Sequence, residues 1–354
     1  MSDDSPVLEI LTNTPTSETT SPAGTSKPTL DIASPSGSLS KTQSAIRSLS
    51  SILPTTTPPD LCTALSLLHD HEVASNISFL LRQPNSGAGD DNLCRWLYDT
   101  FQSGEPDLQL VVLRFLPIIA GLYLSRVSLS KPLAGFEAVL LALYAHETTS
   151  RAGQPITVNV PDLSHPSVYH ESVSPTKNNS TAFNLAVLSP SLEPLGTVRS
   201  TKRARIVGVA LELYYSKIFQ MPIGSKIDFC DFCVVWAGHE ADVGKDSDYG
   251  ASELLGANES RERMGKEGRI PLPWELLQPV LIILGHCLLG TRENKELFDA
   301  AWAACRSLSA RSIHDIDPRA ILATGSLLRL GKMAMEPKDD YDPTEVQTSG
   351  VITI

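Results

Sequence analysis

The sequence lacks the short motifs that most often reveal an enzyme. It contains no G-x-S-x-G nucleophile elbow, no Walker phosphate loop and no G-x-G-x-x-G dinucleotide fingerprint. We therefore predict a chain that is not an enzyme and that has no catalytic, cofactor-binding or metal-binding residues.

The sequence also lacks the features of a secreted or membrane-spanning chain. Its first residues, Met1–Ser5, have neither the basic nor the apolar region of a signal peptide. No apolar run reaches the roughly 20 residues that a helix needs to cross a bilayer. The six cysteines are scattered through mostly apolar settings, which indicates buried, reduced thiols rather than a disulfide framework. We expect a cytoplasmic protein whose contact with any membrane is peripheral.

Positive charge is in short supply. The chain has 29 Lys and Arg against 40 Asp and Glu, which gives a formal net charge of −11 at pH 7. A general nucleic-acid binder needs a basic surface, because its affinity comes mainly from neutralising phosphates. The stretch Lys202–Arg205 is a candidate basic patch, but the overall balance predicts that nucleic acid is not a partner. The same balance predicts that the isolated chain does not bind anionic lipid strongly.

The two ends of the chain differ in composition from its body. Residues 1–40 contain no aromatic residue, and 21 of them are Ser, Thr or Pro. Such a segment cannot bury enough apolar surface to offset the entropy lost on ordering. We predict a disordered tail over 1–41, one helical domain over 42–331 and a disordered acidic tail over 332–354.

Apolar residues at helical spacing fill most of the chain between these tails. Asp91 and Asp317 are predicted helix caps, Pro117 a predicted kink, and Gly331 the end of the last helix. The predicted helices cover 42–53, a segment that starts at 57–60 and continues to 81, and 91–104, 107–123, 133–146, 206–221, 226–236, 291–312 and 318–330. The fold class is therefore all-α, and successive helical hairpins would give a solenoid-like bundle.

The helical pattern stops between about 150 and 200. Prolines interrupt this segment repeatedly, and only 156–160 alternates in the manner of a short strand or an extended strip. We expect a long extended excursion across the helical surface, with at most one short strand. A second loop, rich in glycine and charge, is predicted over 238–268.

An apolar segment that begins with two prolines, Arg269–Leu289, is the most distinctive part of the sequence. Pro271 and Pro273 suit the first turn of a helix, where the missing N–H would have had no partner. Pro279 lies inside the apolar run and predicts a kink or a split into two pieces. We expect a buried helix, in which Trp274→Ala would cost about 3–5 kcal/mol if the Trp274 ring is buried.

Two short patterns invite a metal-site interpretation that the residue spacing does not support. Cys230 and Cys233 form a C-x-x-C pair, but no second pair or His-x-x-x-His lies at finger-like spacing, so buried structural cysteines are favoured. Two His-Glu pairs begin the H-E-x-x-H pattern but lack its second histidine, and we interpret them as polar helix ends. These pairs are His146-Glu147 and His239-Glu240.

Two further clusters contain histidine. His286 and Cys287 lie in the apolar helix and are interpreted as a satisfied core pair. A loop cluster could be catalytic or could fix the extended segment onto the helices, and the absence of a nucleophile favours the second interpretation. Its residues are His165, Tyr169 and His170. The alternatives left open are a metal-dependent hydrolase that uses His165, His170 and His239, and a helical lipid-binding protein.

Four segments together resemble the hyccin family in sequence, order and spacing. They are Leu113-Arg-Phe-Leu-Pro-Ile-Ile-Ala-Gly-Leu-Tyr-Leu124, Leu133-Ala-Gly-Phe-Glu-Ala-Val-Leu-Leu-Ala-Leu-Tyr-Ala-His-Glu147, Pro161-Asp-Leu-Ser-His-Pro-Ser-Val-Tyr-His-Glu171 and the segment Arg269–Leu289. The resemblance spans about residues 42–330. The chain departs from the animal members in its Ser/Thr/Pro-rich N-terminus and in lacking their long C-terminal tail.

The resemblance implies a non-catalytic subunit of the plasma-membrane phosphatidylinositol 4-kinase complex. Hyccin-like proteins pair with a tetratricopeptide-repeat-type scaffold, and that pair holds the type III alpha phosphatidylinositol 4-kinase. A membrane-anchoring subunit recruits the assembly to the plasma membrane, where the kinase makes phosphatidylinositol 4-phosphate. The expected function is therefore to stabilise the complex and to support its localisation.

Overall fold

The computed structural model describes nine parts of the chain, and every structural statement below concerns these parts. They are residues 35–53, 63–127, 129, 131, 133–161, 183–194, 202–238, 270–290 and 294–335.

The described residues are mostly helical, which confirms the predicted all-α class. The first seven helices are α1 (Pro35–Ser50), α2 (Ala64–His69), α3 (His71–Arg82), α4 (Asn92–Gln102), α5 (Pro106–Arg114), α6 (Leu116–Val127) and α7 (Ala134–Ser150). After two strands, β1 (Ile156–Pro161) and β2 (Phe183–Ser189), come α8 (Arg203–Ser216), a 3₁₀ turn (Ile218–Gln220), α9 (Ile223–Ala237), α10 (Trp274–Leu289), α11 (Lys295–His314) and α12 (Pro318–Met335).

The helices pack in two layers whose order largely follows the chain. In one layer α1 contacts α4, α4 contacts α7, α7 contacts α8, and α8 contacts α10. In the other layer α2 lies against α5, α3 against α6, α6 against α9, and α9 against α11. Helix α12 contacts both α10 and α11, so it closes both layers. This arrangement agrees with the predicted solenoid-like bundle, and one continuous apolar core runs between the layers.

Polar side chains at the helix starts explain why the helices begin where they do. The Asp91 carboxylate accepts hydrogen bonds from the backbone N–H groups of Leu93 and Cys94, as predicted. Asp317 accepts from the N–H groups of Arg319 and Ala320 in the same way. Each carboxylate therefore satisfies amide groups that have no partner within the helix.

Several helix ends lie outside the predicted bounds, and those of α1 and α12 differ most. Helix α1 begins at Pro35 rather than at residue 42. Helix α12 does not stop at Gly331 but continues to Met335. Gly331 serves close packing instead, because a Cβ atom there would lie 2.6 Å from the Trp302 ring. The proposed helix start at 57–60 lies outside the described residues, and the described helix α2 is capped by Thr63.

The two prolines that were predicted to disturb helices act differently. The chain bends by 46° between α5 and α6, at Phe115, which confirms the kink next to Pro117. Pro279 does not split its helix, since α10 is continuous. Pro279 cannot donate to the carbonyl of Glu275, four residues earlier. That carbonyl oxygen lies against Gly208 of α8, where a Cβ atom would come within 2.5 Å of it, so the two backbones approach closely at this point.

Three buried arginines bind the carbonyl groups at the C-terminal ends of other helices. Arg114 donates to the carbonyls of Leu68 and Asp70 at the end of α2. Arg126 donates to the carbonyl of Gln83, which follows α3, and Arg311 does the same for Ala237 at the end of α9. Unpaired carbonyls at helix ends are costly inside a protein, and these guanidinium groups satisfy them across long stretches of chain.

The segment between α7 and α8 contains two strands: β1, where a short strand was predicted as possible, and β2, which was not predicted. Strands β1 and β2 pair antiparallel, with Val158 opposite Ala186 and Asn159 opposite Leu185. The second strand was missed because its pairing partner lies more than 20 residues away. Within the described parts, no single helix is long and apolar enough to span a membrane, although α5 and α6 together reach that length and composition.

Candidate partner-docking surface

The β1–β2 ribbon exposes branched apolar side chains on both of its faces. Side chains alternate between the two faces along a strand. Val158 and Val160 therefore lie on one face, and Leu185 and Val187 on the other, and all four are exposed. Leu185 has 67% of its surface accessible. A protein rarely leaves such a cluster in water unless another surface covers it.

The ribbon is unusual because it has only two strands. A two-stranded ribbon without a packed face is marginally stable in water. In the described part of the chain each strand pairs only with the other, so each has one edge free for further hydrogen bonding. Exposed side chains and open strand edges are the features by which extended elements bind partner proteins.

A buried cluster of charged groups holds the base of the ribbon against the helices. Arg151, which follows α7, donates to Glu147 at 2.5 Å and to Glu212 of α8 at 2.7 Å. Ser189, the last residue of β2, accepts a hydrogen bond from Arg151 and donates one to Glu212, each at 2.8 Å. Arg205 adds a bond to the carbonyl of Pro190 at 3.0 Å. The end of β2 is thereby tied to both α7 and α8.

The protonation of Arg151 follows from these contacts. Its side chain is only 8% exposed, and burial by itself would lower the pKa of a guanidinium group. The hydrogen bonds with Glu212 and Glu147 outweigh burial and raise the pKa of Arg151. Arg151 therefore stays charged, and its positive charge is paired with the carboxylates of Glu147 and Glu212. Removing one member of such a cluster leaves the others without compensation.

Backbone contacts complete the attachment of the ribbon. Gly153 adopts a positive φ of 70° just before β1, a conformation that favours glycine. Its carbonyl accepts a hydrogen bond from the N–H of Leu192 at 2.9 Å. The hydroxyl of Tyr144 donates to the carbonyl of Glu193 at 3.1 Å. Both strands are therefore fixed at the base of the ribbon, while the apolar side chains of the ribbon remain exposed.

A second exposed apolar surface lies on the helix that closes the bundle. Helix α12 packs Thr324 and Gly331 inwards, whereas Leu322, Leu330 and Met333 are exposed on its outer side. The sequence did not distinguish these two sides, because apolar residues occur on both. The periodicity of α12 indicates a helix but not which of its faces another surface covers.

The predicted structural role of the C-x-x-C pair agrees with its position. Cys230 and Cys233 are fully buried in α9, and Cys287 and Cys305 lie close to them. A hydrogen bond with Cys287 and burial both raise the pKa of Cys230, and burial raises the pKa of Cys233. The thiol forms are therefore favoured over the thiolates that bind metals. Among the described residues, no group of three or more His, Cys, Asp or Glu could hold a metal ion.

The histidine predictions have mixed outcomes. His146 lies near the polar end of α7, with its ring edge against Phe101 at a centroid distance of 5.3 Å. His286 was expected to be a satisfied core residue, and that expectation was wrong, because its buried Nε2 atom has no hydrogen-bond partner. The other candidate histidines, and the Tyr and Glu residues grouped with them, lie outside the described residues. These five residues are His165, Tyr169, His170, His239 and Glu240. The absence of a metal site there stays a prediction.

Two of the three bases in the candidate basic stretch have acidic partners within the chain. Lys202 pairs with Glu193, and Arg205 lies 3.8 Å from Glu212. These contacts place the two bases around the ribbon attachment rather than on a free basic surface. The ion cluster was missed in the sequence because its central pair, Arg151 and Glu212, is 61 residues apart.

A comparison with known protein families gives a match over most of the chain. The family model described as Hyccin matches residues 62–353. The matched range includes both strands of the ribbon, the ion cluster at its base and every described helix from α2 to α12. It also includes all four segments that carry the resemblance noted above. The chain belongs to the hyccin family.

Proposed function

We propose that this chain is a non-enzymatic scaffold subunit of a phosphatidylinositol 4-kinase complex. It binds a tetratricopeptide-repeat-type scaffold subunit, and the pair holds the type III alpha phosphatidylinositol 4-kinase. Membership of the hyccin family supports a non-catalytic role in general. The finer assignment rests on the family resemblance together with the exposed apolar surfaces.

The observation that carries this proposal is a fixed ribbon with uncovered apolar side chains. Its base is held by the buried cluster around Arg151, so the ribbon loses little further conformational freedom when a partner binds. Leu185 and Val187 are exposed on one face and Val158 on the other. A partner that covers both faces would bury apolar area, which favours binding by about 25 cal/mol per Å² before the costs of association are subtracted.

The mechanism is mass action on folded protein. A partner that binds only the folded chain stabilises it by RT ln(1 + [L]/Kd), or about 2.7 kcal/mol when the partner is at 100 times its Kd. Both subunits of the pair gain stability in this way. The kinase then retains a folded platform, which supports synthesis of phosphatidylinositol 4-phosphate without any chemistry by this chain.

The same proposal gives the location of the chain. Free protein is cytoplasmic, and the complex brings it to the plasma membrane through the membrane-anchoring subunit. The net charge of −11 supports indirect contact, because an acidic chain is repelled by the anionic inner leaflet. Loss of plasma-membrane signal on depletion of the scaffold subunit is the expected behaviour in cells.

The test is a binding measurement with a variant of the ribbon. The double variant Leu185→Ser and Val187→Ser should weaken binding to the purified scaffold subunit at least tenfold, measured by calorimetry. Phe79→Ser is the matched control, since Phe79 lies on α3 and is 64% exposed, nearly as much as Leu185. Equal binding by the ribbon variant and the wild type would exclude the ribbon as the docking element. Failure of the wild-type chain to bind would exclude the proposed function.

A further inference from the structure

A lysine and a histidine for which the described parts of the chain show no acidic partner lie near an exposed aromatic ring, where α8 gives way to α9. Phe219, in the 3₁₀ turn between these helices, has 85% of its surface exposed. Its ring meets the His286 ring of α10 edge to face, at a centroid distance of 4.8 Å. Lys226 of α9 is close enough to His286 for its charge to lower the pKa of that histidine. Three elements thus meet at one place.

Lys226 is an unusual lysine in two respects. It is only 4% exposed, although lysine is almost never fully buried unless it is paired. It also lies in the first turn of α9, where the helix dipole is positive and favours an anion. Burial lowers the pKa of the Lys226 ammonium. In the parts of the chain that the structure describes, no carboxylate pairs with it.

Among the described residues, nothing near Lys226 occupies the position that an incoming anion would take. The buried Nε2 atom of His286 has no hydrogen-bond partner, and burial is the main cause of the lowered pKa of this histidine. Pro222 precedes α9 and provides no side-chain cap for its free amides. A Cβ atom built on Gly224, in the first turn, would meet nothing within 4 Å. Open space, backbone amide donors and two basic side chains therefore lie together at the start of α9.

We propose that this place, which we call the Lys226 site, receives a carboxylate side chain of the repeat scaffold subunit. The carboxylate accepts hydrogen bonds from Lys226 and His286, and the residues beside it cover Phe219. Exposed apolar residues flank the site at Ile223 and Leu289. The occupant is thus an acidic residue within an apolar segment.

Charge decides between a protein carboxylate and an anionic membrane. A lipid phosphate could interact with the same bases, but the whole chain has a net charge of −11, and membrane attraction requires clustered Lys and Arg on the surface. Lys226 is buried, whereas basic residues that bind membranes are exposed. A side chain that inserts from a docked protein surface fits a buried base better.

This inference rests on the proposed function, because it assigns one contact of the proposed scaffold interface. It makes an unusual prediction about stability. Lys226→Met keeps the length of the side chain and removes a buried charge that pairs with no carboxylate of the described residues, so the isolated chain should melt at a higher temperature. The same variant should bind the scaffold subunit at least tenfold more weakly. A lysine with a purely structural role would lose stability and leave the affinity unchanged.

A second variant tests the aromatic ring above the bases. Phe219→Ser should also weaken binding at least tenfold while leaving the melting temperature within a few degrees of the wild type. The Phe79→Ser variant again serves as the control and should bind as the wild type does. Wild-type affinity in both Lys226→Met and Phe219→Ser would overturn the Lys226 site. Because the wild-type chain is measured in parallel, its failure to bind would instead overturn the proposed function.

Zero-length crosslinking identifies the occupant directly. A carbodiimide joins an amine to a carboxylate as an amide, with loss of one water, when the two groups are in contact. In the assembled complex, mass spectrometry should find Lys226 joined to an Asp or Glu of the scaffold subunit, and this product should be absent from Lys226→Met. A crosslink only to an acidic residue of this chain would overturn the proposal. Binding of the free chain to vesicles that contain phosphatidylserine, lost in Lys226→Met, would also overturn it.

Discussion

The β1–β2 ribbon and helix α10 are both rich in apolar residues, yet they relate to water in opposite ways. Leu276, Val280 and Leu284 of α10 are fully buried, because α8, α11 and α12 surround that helix. Leu185 and Val187 of the ribbon are exposed, and charged groups at the base hold the ribbon in place. An apolar sequence therefore does not by itself define a core. The second layer of protein can come from the same chain or, as we propose for the ribbon, from a partner.

The comparison is tested most strongly by the same substitution in both regions. Leu284→Ala removes a fully buried side chain and should lower the free energy of unfolding of the isolated chain by about 2–5 kcal/mol. Leu185→Ala in the ribbon should change it by less than about 0.5 kcal/mol, because that side chain is already in water. Urea denaturation measures both. Equal losses in the two variants would show that the ribbon is part of the core.

The ion cluster should account for the next largest effect. Arg151→Met leaves Glu147 and Glu212 partly buried without their shared cation, and should cost about 3 kcal/mol. The amides of the ribbon should then exchange hydrogen faster than in the wild type. Lys202→Met is the control, because its pair with Glu193 is exposed and worth about 0–1 kcal/mol. Unchanged exchange in the Arg151 variant would show that the ribbon does not depend on the cluster.

Trp274 sharpens the comparison because it lies between the two extremes. The cost predicted for a buried ring does not apply, because Trp274 is half-buried at the start of α10, with the Arg319 guanidinium 5.2 Å from its centroid. Trp274→Ala should therefore cost about 2 kcal/mol, below the roughly 3–5 kcal/mol of a fully buried tryptophan. Trp274→Phe, which keeps an aromatic face, should recover part of the loss. A cost above about 4 kcal/mol would indicate that the ring is covered further.

The smallest effect should come from a glycine on the outer side of α12. A Cβ atom at Gly325 would meet nothing within 4 Å, so Gly325→Ala should raise the free energy of unfolding by about 0.5–1 kcal/mol. Gly331→Ala in the same helix should instead destabilise the chain, because its Cβ would lie 2.6 Å from the Trp302 ring. Thermal unfolding distinguishes the two signs. A gain in both variants would contradict the described packing of α12.

Local signals in the sequence predicted the helices well. Asp91 and Asp317 were identified as caps because a carboxylate before an apolar helical run has an immediate physical role, and both make the expected hydrogen bonds. The break beside Pro117 was predicted for the same reason. In each case the residue and its consequence lie within a few positions of each other.

The candidate site was much less accessible from the sequence. Strand β2 forms only by pairing with β1, and the role of Arg151 depends on its ion pair with Glu212 of a later helix. His286 is on an apolar helix and gave no sign that its Nε2 would be unpaired or that Phe219 would lie beside it. Gly331 resembled a helix stop because its contact, the Trp302 ring, comes from another helix. These features depend on pairs of elements that only the tertiary fold brings together.

Arg114 of α5 binds the carbonyls at the end of α2, and this contact makes the two helices depend on each other. Helix α2 has six residues, and an isolated helix shorter than about 12–15 residues is marginal in water. Its last carbonyls are bound by Arg114, which belongs to α5. Helix α2 therefore cannot persist when α5 separates from it, and the two should form one cooperative unit. Native-state hydrogen exchange should show a shared opening free energy for both helices, although 36 positions separate the end of α2 from the start of α5 in the chain.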